Sequence, residues 1–193
     1  MLMSKTVTAS AFLLISLAIS LPAQAAQHFV DEATGFTVQV PAGFDIGNRR
    51  ADANHDILLD IVSLSGQPPV AGNSHALCAA GFRKNPPDFD QTQEDLSNPS
   101  AIRHMMTASR QALEQQGMKI ESVDPINRED VAGFELTMIP PLGPDHRNFR
   151  LYMAFMDKPV GRMDLLCATT KDALLPAMGL IHAIRDRMTV TSP

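Results

Sequence analysis

Phe36, Val38 and Val40 are separated by Thr37 and Gln39. A period of two sends alternate side chains to opposite faces of an extended chain, so residues 36–40 predict a half-buried strand. Thr34-Gly35 before it and Pro41-Ala42-Gly43 after it are turn sequences. Residues 57–64 predict a second strand, apolar on both faces except at Asp60, and Gly66-Gln67-Pro68-Pro69 ends it. The period then becomes helical. Ile102, Met105, Met106, Ala112 and Leu113 fall on one stripe, while Arg103, Arg110, Gln111, Glu114 and Gln115 fall on the other side. Asn98 suits the N-cap, Pro99 the first helical position and Gly117 the residue beyond the end. From Met118 the period returns to two, and residues 120–123 and 131–138 predict a hairpin. Residues 149–156 and 163–168 read as apolar on both faces, which predicts central strands joined through Asp157-Lys158-Pro159-Val160-Gly161. A closing helix is predicted over 171–188, with Leu174, Met178, Ile181, Ile184 and Met188 on one face. Thr169 and Asp172 match a capping box, and Pro176 is placed in the first turn.

This order of runs predicts an α+β domain: an antiparallel sheet flanked by helices, one on each face. Residues 66–98 interrupt it. They carry Pro68, Pro69, Pro86 and Pro87 with little periodicity, and read as one long polar loop. Long loops inside compact domains are commonly functional. Asp88, Phe89, Asp90, Glu94 and Asp95 are therefore the candidate partner-contact residues.

Residues 1–25 have the pattern of an address. Lys5 precedes a short apolar run over 11–19, and Ala23-Gln24-Ala25 supplies small residues for cleavage before Ala26. The run is shorter than the roughly 20 residues of a membrane span. The expected mature chain is one globular domain over 26–193, exported to the periplasm or secreted, with no stable membrane insertion.

Composition narrows the function classes. The 193 residues are 45% hydrophobic and 19% charged, too apolar for a disordered chain. A formal net charge of −5 excludes a generally basic nucleic-acid binder. Arg49-Arg50 and Arg147-Asn148-Phe149-Arg150 are small basic clusters that suit an acidic partner or plain solvation.

Cys78 and Cys167 are the only cysteines. In an oxidising compartment they can form one bridge, closing a loop of about 90 residues worth roughly 4–5 kcal/mol in the chain-entropy model. Two buried thiols are the alternative. A third reading makes the protein a thiol-dependent enzyme: with 74–82 helical, His75 would lie one turn from Cys78 and lower its pKa. No CxxC motif is present, and His28, His55, His75, His104, His146 and His182 lack metal-ligand spacing. No resident metal or other cofactor is expected, and a periplasmic metal-binding protein using the acidic loop or the methionines is the further alternative. The acidic loop lacks the EF-hand Gly and terminal Glu, so solvation is preferred to Ca²⁺. Gly72-Asn73-Ser74-His75-Ala76 lacks the second Gly of a nucleophile elbow. Met153 and Met156 fall at sheet period, which favours core packing over a Cu(I) site.

The run Gly35-Phe36-Thr37-Val38-Gln39-Val40-Pro41-Ala42-Gly43-Phe44 resembles the opening strand of the Mog1/PsbP-like superfamily. Val131-Ala132-Gly133-Phe134 resembles its mid-chain Gly before a strand, and 165–188 its terminal strand and helix. The resemblance implies an α/β/α sandwich and a non-catalytic binding or accessory module. It implies no shared catalytic residues. The expected partner is a protein or small ligand, not nucleic acid.

Overall fold

The structure is a computed structural model describing residues 26–72, 74–141 and 146–191. The expected address over 1–25 lies outside the described residues. Along them the chain runs β1 (Gln27–Asp31), β2 (Phe36–Val40), β3 (Phe44–Arg49), β4 (Ile57–Ser63), β5 (Cys78–Lys84), α1 (Gln93–Leu96), α2 (Pro99–Gln115), β6 (Lys119–Pro125), β7 (Ala132–Ile139), β8 (Phe149–Lys158), β9 (Gly161–Thr170), α3 (Lys171–Arg185) and β10 (Met188–Val190). Strands β3-β4-β5-β9-β8-β7-β6 form one antiparallel sheet, and β1-β2-β10 a smaller one. No described helix is long and apolar enough to cross a membrane.

Alternation on β8 shows how the layers form. Tyr152, Ala154 and Met156 point to one face and are fully buried. They join Leu165 and Cys167 of β9, Ala80 and Phe82 of β5, and Leu174, Ala177, Ile181 and Ile184 of α3 in one apolar cluster. Phe36, Val38 and Val40 of β2 complete that layer, and Phe36 stacks on Phe82 with ring centroids 5.5 Å apart. Such an aromatic pair adds about 0.5–1.5 kcal/mol beyond its buried area. Leu151, Met153 and Phe155 point to the opposite face, where Phe134, Leu136 and Met138 of β7 meet Met105, Met106 and Leu113 of α2. The two long helices thus cover opposite faces, as the sequence predicts. Met153 and Met156 belong to these packed clusters.

Helix α2 begins and ends as its sequence predicts. Asn98 Oδ1 accepts the Ser100 N–H at 2.9 Å, and Pro99 opens the helix. Gly117 takes φ +84°, and the N–H groups of Gly117 and Met118 donate to the Glu114 and Leu113 carbonyls. This double bond to the last turn needs a left-handed residue, which favours Gly.

Five expectations need correction. Residues 66–98 are not one loop, because Cys78–Lys84 is β5, paired between β4 and β9. Its central Ala79, Ala80 and Gly81 are small and give almost no hydrophobic amplitude, and β propensity is decided by such context. The alternative of a helix over 74–82 falls with the same observation. At the start of α3, Thr169 is buried and its hydroxyl donates to the Pro69 carbonyl at 2.6 Å. Thr170 is the N-cap and makes no side-chain cap bond, so no capping box forms. Helix α3 also ends at Arg185, and Pro176 lies inside it rather than in its first turn. Met188 instead pairs with Val38 across β10 and β2.

Candidate functional site

A groove opens where the first turns of α2 overhang the β6–β7 connection. Its volume is about 690 Å³. Ile102 and Met106 of α2 face Ile126 and Val131 of the connection, and the latter two are buried. The amphipathic stripe explains this apolar lining: the rest of the stripe rests on β7, and Ile102 continues it beyond the sheet. Arg103, Arg128 and Glu129 stand on the rim. Arg103 is exposed and forms no ion pair among the described residues. Arg128 donates to Asp130 at 2.8 and 3.0 Å, and to the Arg185 carbonyl at 3.5 Å. That last bond sets a cation against the C-terminus of α3, a favourable position for positive charge. The groove can receive an extended or amphipathic segment through apolar contact, with an acidic flank met by Arg103.

The five predicted contact residues do not form one surface element. Asp88 and Asp90 are exposed and Phe89 is half-buried. Glu94 and Asp95 belong to α1, where Thr92 and Asp95 make a reciprocal cap: Asp95 Oδ2 accepts the Thr92 hydroxyl at 2.6 Å and its N–H at 2.9 Å. The Thr92 hydroxyl lowers the Asp95 pKa, followed by its backbone N–H. Leu96 is buried and anchors α1, and Ser97 reaches the groove.

Cys78 and Cys167 are joined as a disulfide, with Cα atoms 4.0 Å apart. They are direct cross-strand partners on β5 and β9, facing the core under α3. The described residues contain no free thiol. The thiol-enzyme reading therefore loses its nucleophile, and His75 stands exposed on a loop. Ser74 likewise spends its hydroxyl locally, donating to the Ala76 carbonyl at 3.0 Å.

Two polar clusters escaped the sequence reading. On the open face beyond β5, His55 lies between two carboxylates: Nδ1 is 2.7 Å from Asp52 and Nε2 is 2.8 Å from Asp164. Burial pushes the His55 pKa down, but the Asp52 hydrogen bond and the Asp164 charge outweigh it and hold it above the usual value. Burial holds Asp164 up, against the opposing pull of His55, Arg162 and Arg83. Gly81 makes room for the pair, since a Cβ there would meet His55 Cδ2 at 2.6 Å. Under α3, Glu135 accepts the Tyr152 hydroxyl at 2.5 Å, pairs with Arg185 and lies 3.2 Å from His182 Nε2. Burial, then the Glu135 hydrogen bond and charge, raise the Tyr152 pKa. The available signal was a charge inside an apolar strand: Asp164 in β9 and Glu135 in β7.

Two long helices on opposite faces of an antiparallel sheet, with the small β1-β2-β10 sheet beside the second, make this a PsbP-like α+β fold. The likeness is carried by the solution structure of cyanobacterial PsbP (CyanoP) from Synechocystis sp. PCC 6803, with a TM-score of 0.56. It covers 93% of this chain and 99% of that one at 12% sequence identity, and is one of fold. No protein-family model matches the chain, and no curated protein matches it in sequence.

Proposed function

We propose that the protein is an exported, single-domain, non-catalytic accessory or binding module that seats a segment of a protein partner in the α2 groove. The apolar groove with its unpaired Arg103 is the observation that carries this reading. The PsbP-like fold supports it, because the resemblance implies binding and assembly rather than catalysis. Export is supported by the leader pattern and by a disulfide, which persists in oxidising compartments. The exposed Asp88 and Asp90, ahead of α1, form a second part of the contact surface in this proposal.

Partner recovery from the native extracytoplasmic fraction tests it, using the processed chain as bait. Arg103→Glu reverses an exposed charge and leaves the core untouched. The expected result is at least about a tenfold loss of the wild-type partner, a loss of about 1.4 kcal/mol. A smaller loss is expected from Asp88→Lys with Asp90→Lys. Undiminished recovery by Arg103→Glu would remove the groove from the function.

A further inference from the structure

A second cavity, of about 520 Å³, lies at the other end of α2, between the β6–β7 strand ends and the start of α3. Its lining gathers cations from separate elements: Lys119 of β6, Arg147 before β8, Arg150 of β8 and Lys171 of α3. Lys119, Arg147 and Lys171 are exposed and have no carboxylate partner among the described residues. Arg150 is fixed beneath them. Its side chain is 8% exposed, its Nε lies 2.6 Å from Glu121, and its Nη1 donates to the Arg147 and Phe149 carbonyls.

On a chain of net charge −5, this convergence is not an overflow of positive charge. Gathering like charges around one concavity costs energy that a bound anion offsets. The first turn of α3 adds to the field. Thr170 leaves the helix N-terminus without a side-chain cap, so its N–H groups favour negative charge at Lys171. Asp172 is exposed in the same turn but does not line the cavity. Ile139, Pro140 and Pro141 supply an apolar part of the same lining.

We propose that this cavity binds a small soluble anion bearing a phosphate or sulfate group. The charged group sits among Lys119, Arg147 and Lys171, over the immobilised Arg150. Any organic remainder rests on the apolar part of the lining. The cavity is far smaller than a protein interface and is lined by residues separate from those of the α2 groove.

The test is a titration of the processed chain with inorganic pyrophosphate at low salt, read by calorimetry and by amide shifts. Saturable millimolar or tighter binding is expected, with the largest shifts at Lys171 and Asp172 and a steep loss on adding salt. Lys119→Glu or Lys171→Glu, both at exposed positions, should each weaken it at least about tenfold, while Arg103→Glu leaves it unchanged. Absence of saturable binding would overturn the proposal. So would undiminished binding by both lysine variants, or binding to phosphatidylglycerol vesicles without binding to free pyrophosphate.

Discussion

Two polar clusters in this molecule are near inversions of each other. On the β4-β5-β9 half, a histidine is held between two carboxylates, His55 between Asp52 and Asp164. On the β7-β8 half, a carboxylate is held between two basic side chains, Glu135 between Arg185 and His182, with the Tyr152 hydroxyl added. The first sits on an uncovered face of the sheet, the second beneath α3. Helix α3 and the small sheet cover one face of the first half, leaving the face with His55 open; α2 covers the opposite face of the second. The same period-two alternation sends apolar side chains of β7 and β9 to one face of the sheet and Glu135 or Asp164 to the other. What differs is depth. The carboxylates Glu135 and Asp164 are alike at 17% and 19% exposed, but Arg185 is 11% exposed and Tyr152 fully buried, whereas His55 and Asp52 are 21% and 33% exposed. Electrostatic consequences should scale accordingly, since a removed partner matters most where water cannot replace it.

The largest expected effect separates the halves covalently. The disulfide joins β5 to β9 within the His55 half, and no bridge ties β7 to β8. Replacing both cysteines, as Cys78→Ala with Cys167→Ala, should lower unfolding free energy by up to about 4–5 kcal/mol, the chain-entropy value for a separation of 89 residues. Denaturant titration measures it. Hydrogen exchange sharpens it: β5 amides should lose more protection than β7 amides. Equal loss in both strands would show that the halves open as one unit.

A smaller effect is expected at the inverted cluster. Glu135→Gln keeps the shape but removes the negative charge, leaving Arg185 and His182 facing each other over the buried Tyr152. The expected loss is about 2–3 kcal/mol by denaturant titration. His55→Gln, at the shallower cluster, should cost about 1 kcal/mol. A reversed ranking would mean that depth does not govern the two sites.

These clusters also mark what the sequence could reveal. Helix α2 and strands β7 to β9 were legible because long periodic runs and local caps, Asn98 and Gly117, point to one answer. Strand β5 was not, since Ala79-Ala80-Gly81 carries no period and becomes a strand only between β4 and β9. The short β1, β3 and β10 depend on pairing in the same way. The groove inherits the visible stripe of α2, but its other wall comes from a connection that periodicity does not describe. His55 and Asp164 are 109 residues apart, and only the sheet brings them together. The charge within β9 and the small Gly81 beside it were visible singly; their meeting was not.

The smallest effect is one of pH, and its sign distinguishes the clusters. The folded His55 pKa lies above its ordinary value of 6.5, because the two carboxylates outweigh burial. The folded chain therefore holds that proton more tightly than the unfolded chain. The stabilisation is fully present below the unfolded value and disappears as pH rises through the folded one. Asp164, also raised, acts in the same sense but near the acidic carboxylate range, and Asp52, lowered first by its His55 hydrogen bond, acts oppositely there. The window of about pH 6 to 8 spans the ordinary histidine range, and the difference between wild type and His55→Gln reports this histidine. Urea unfolding of wild type and His55→Gln at both ends of that window is the measurement. The advantage of wild type should shrink as pH rises, and Asp164→Asn should flatten the trend. An advantage that grows with pH would mean that His55 is held as the neutral ring, leaving the inversion geometric rather than electrostatic.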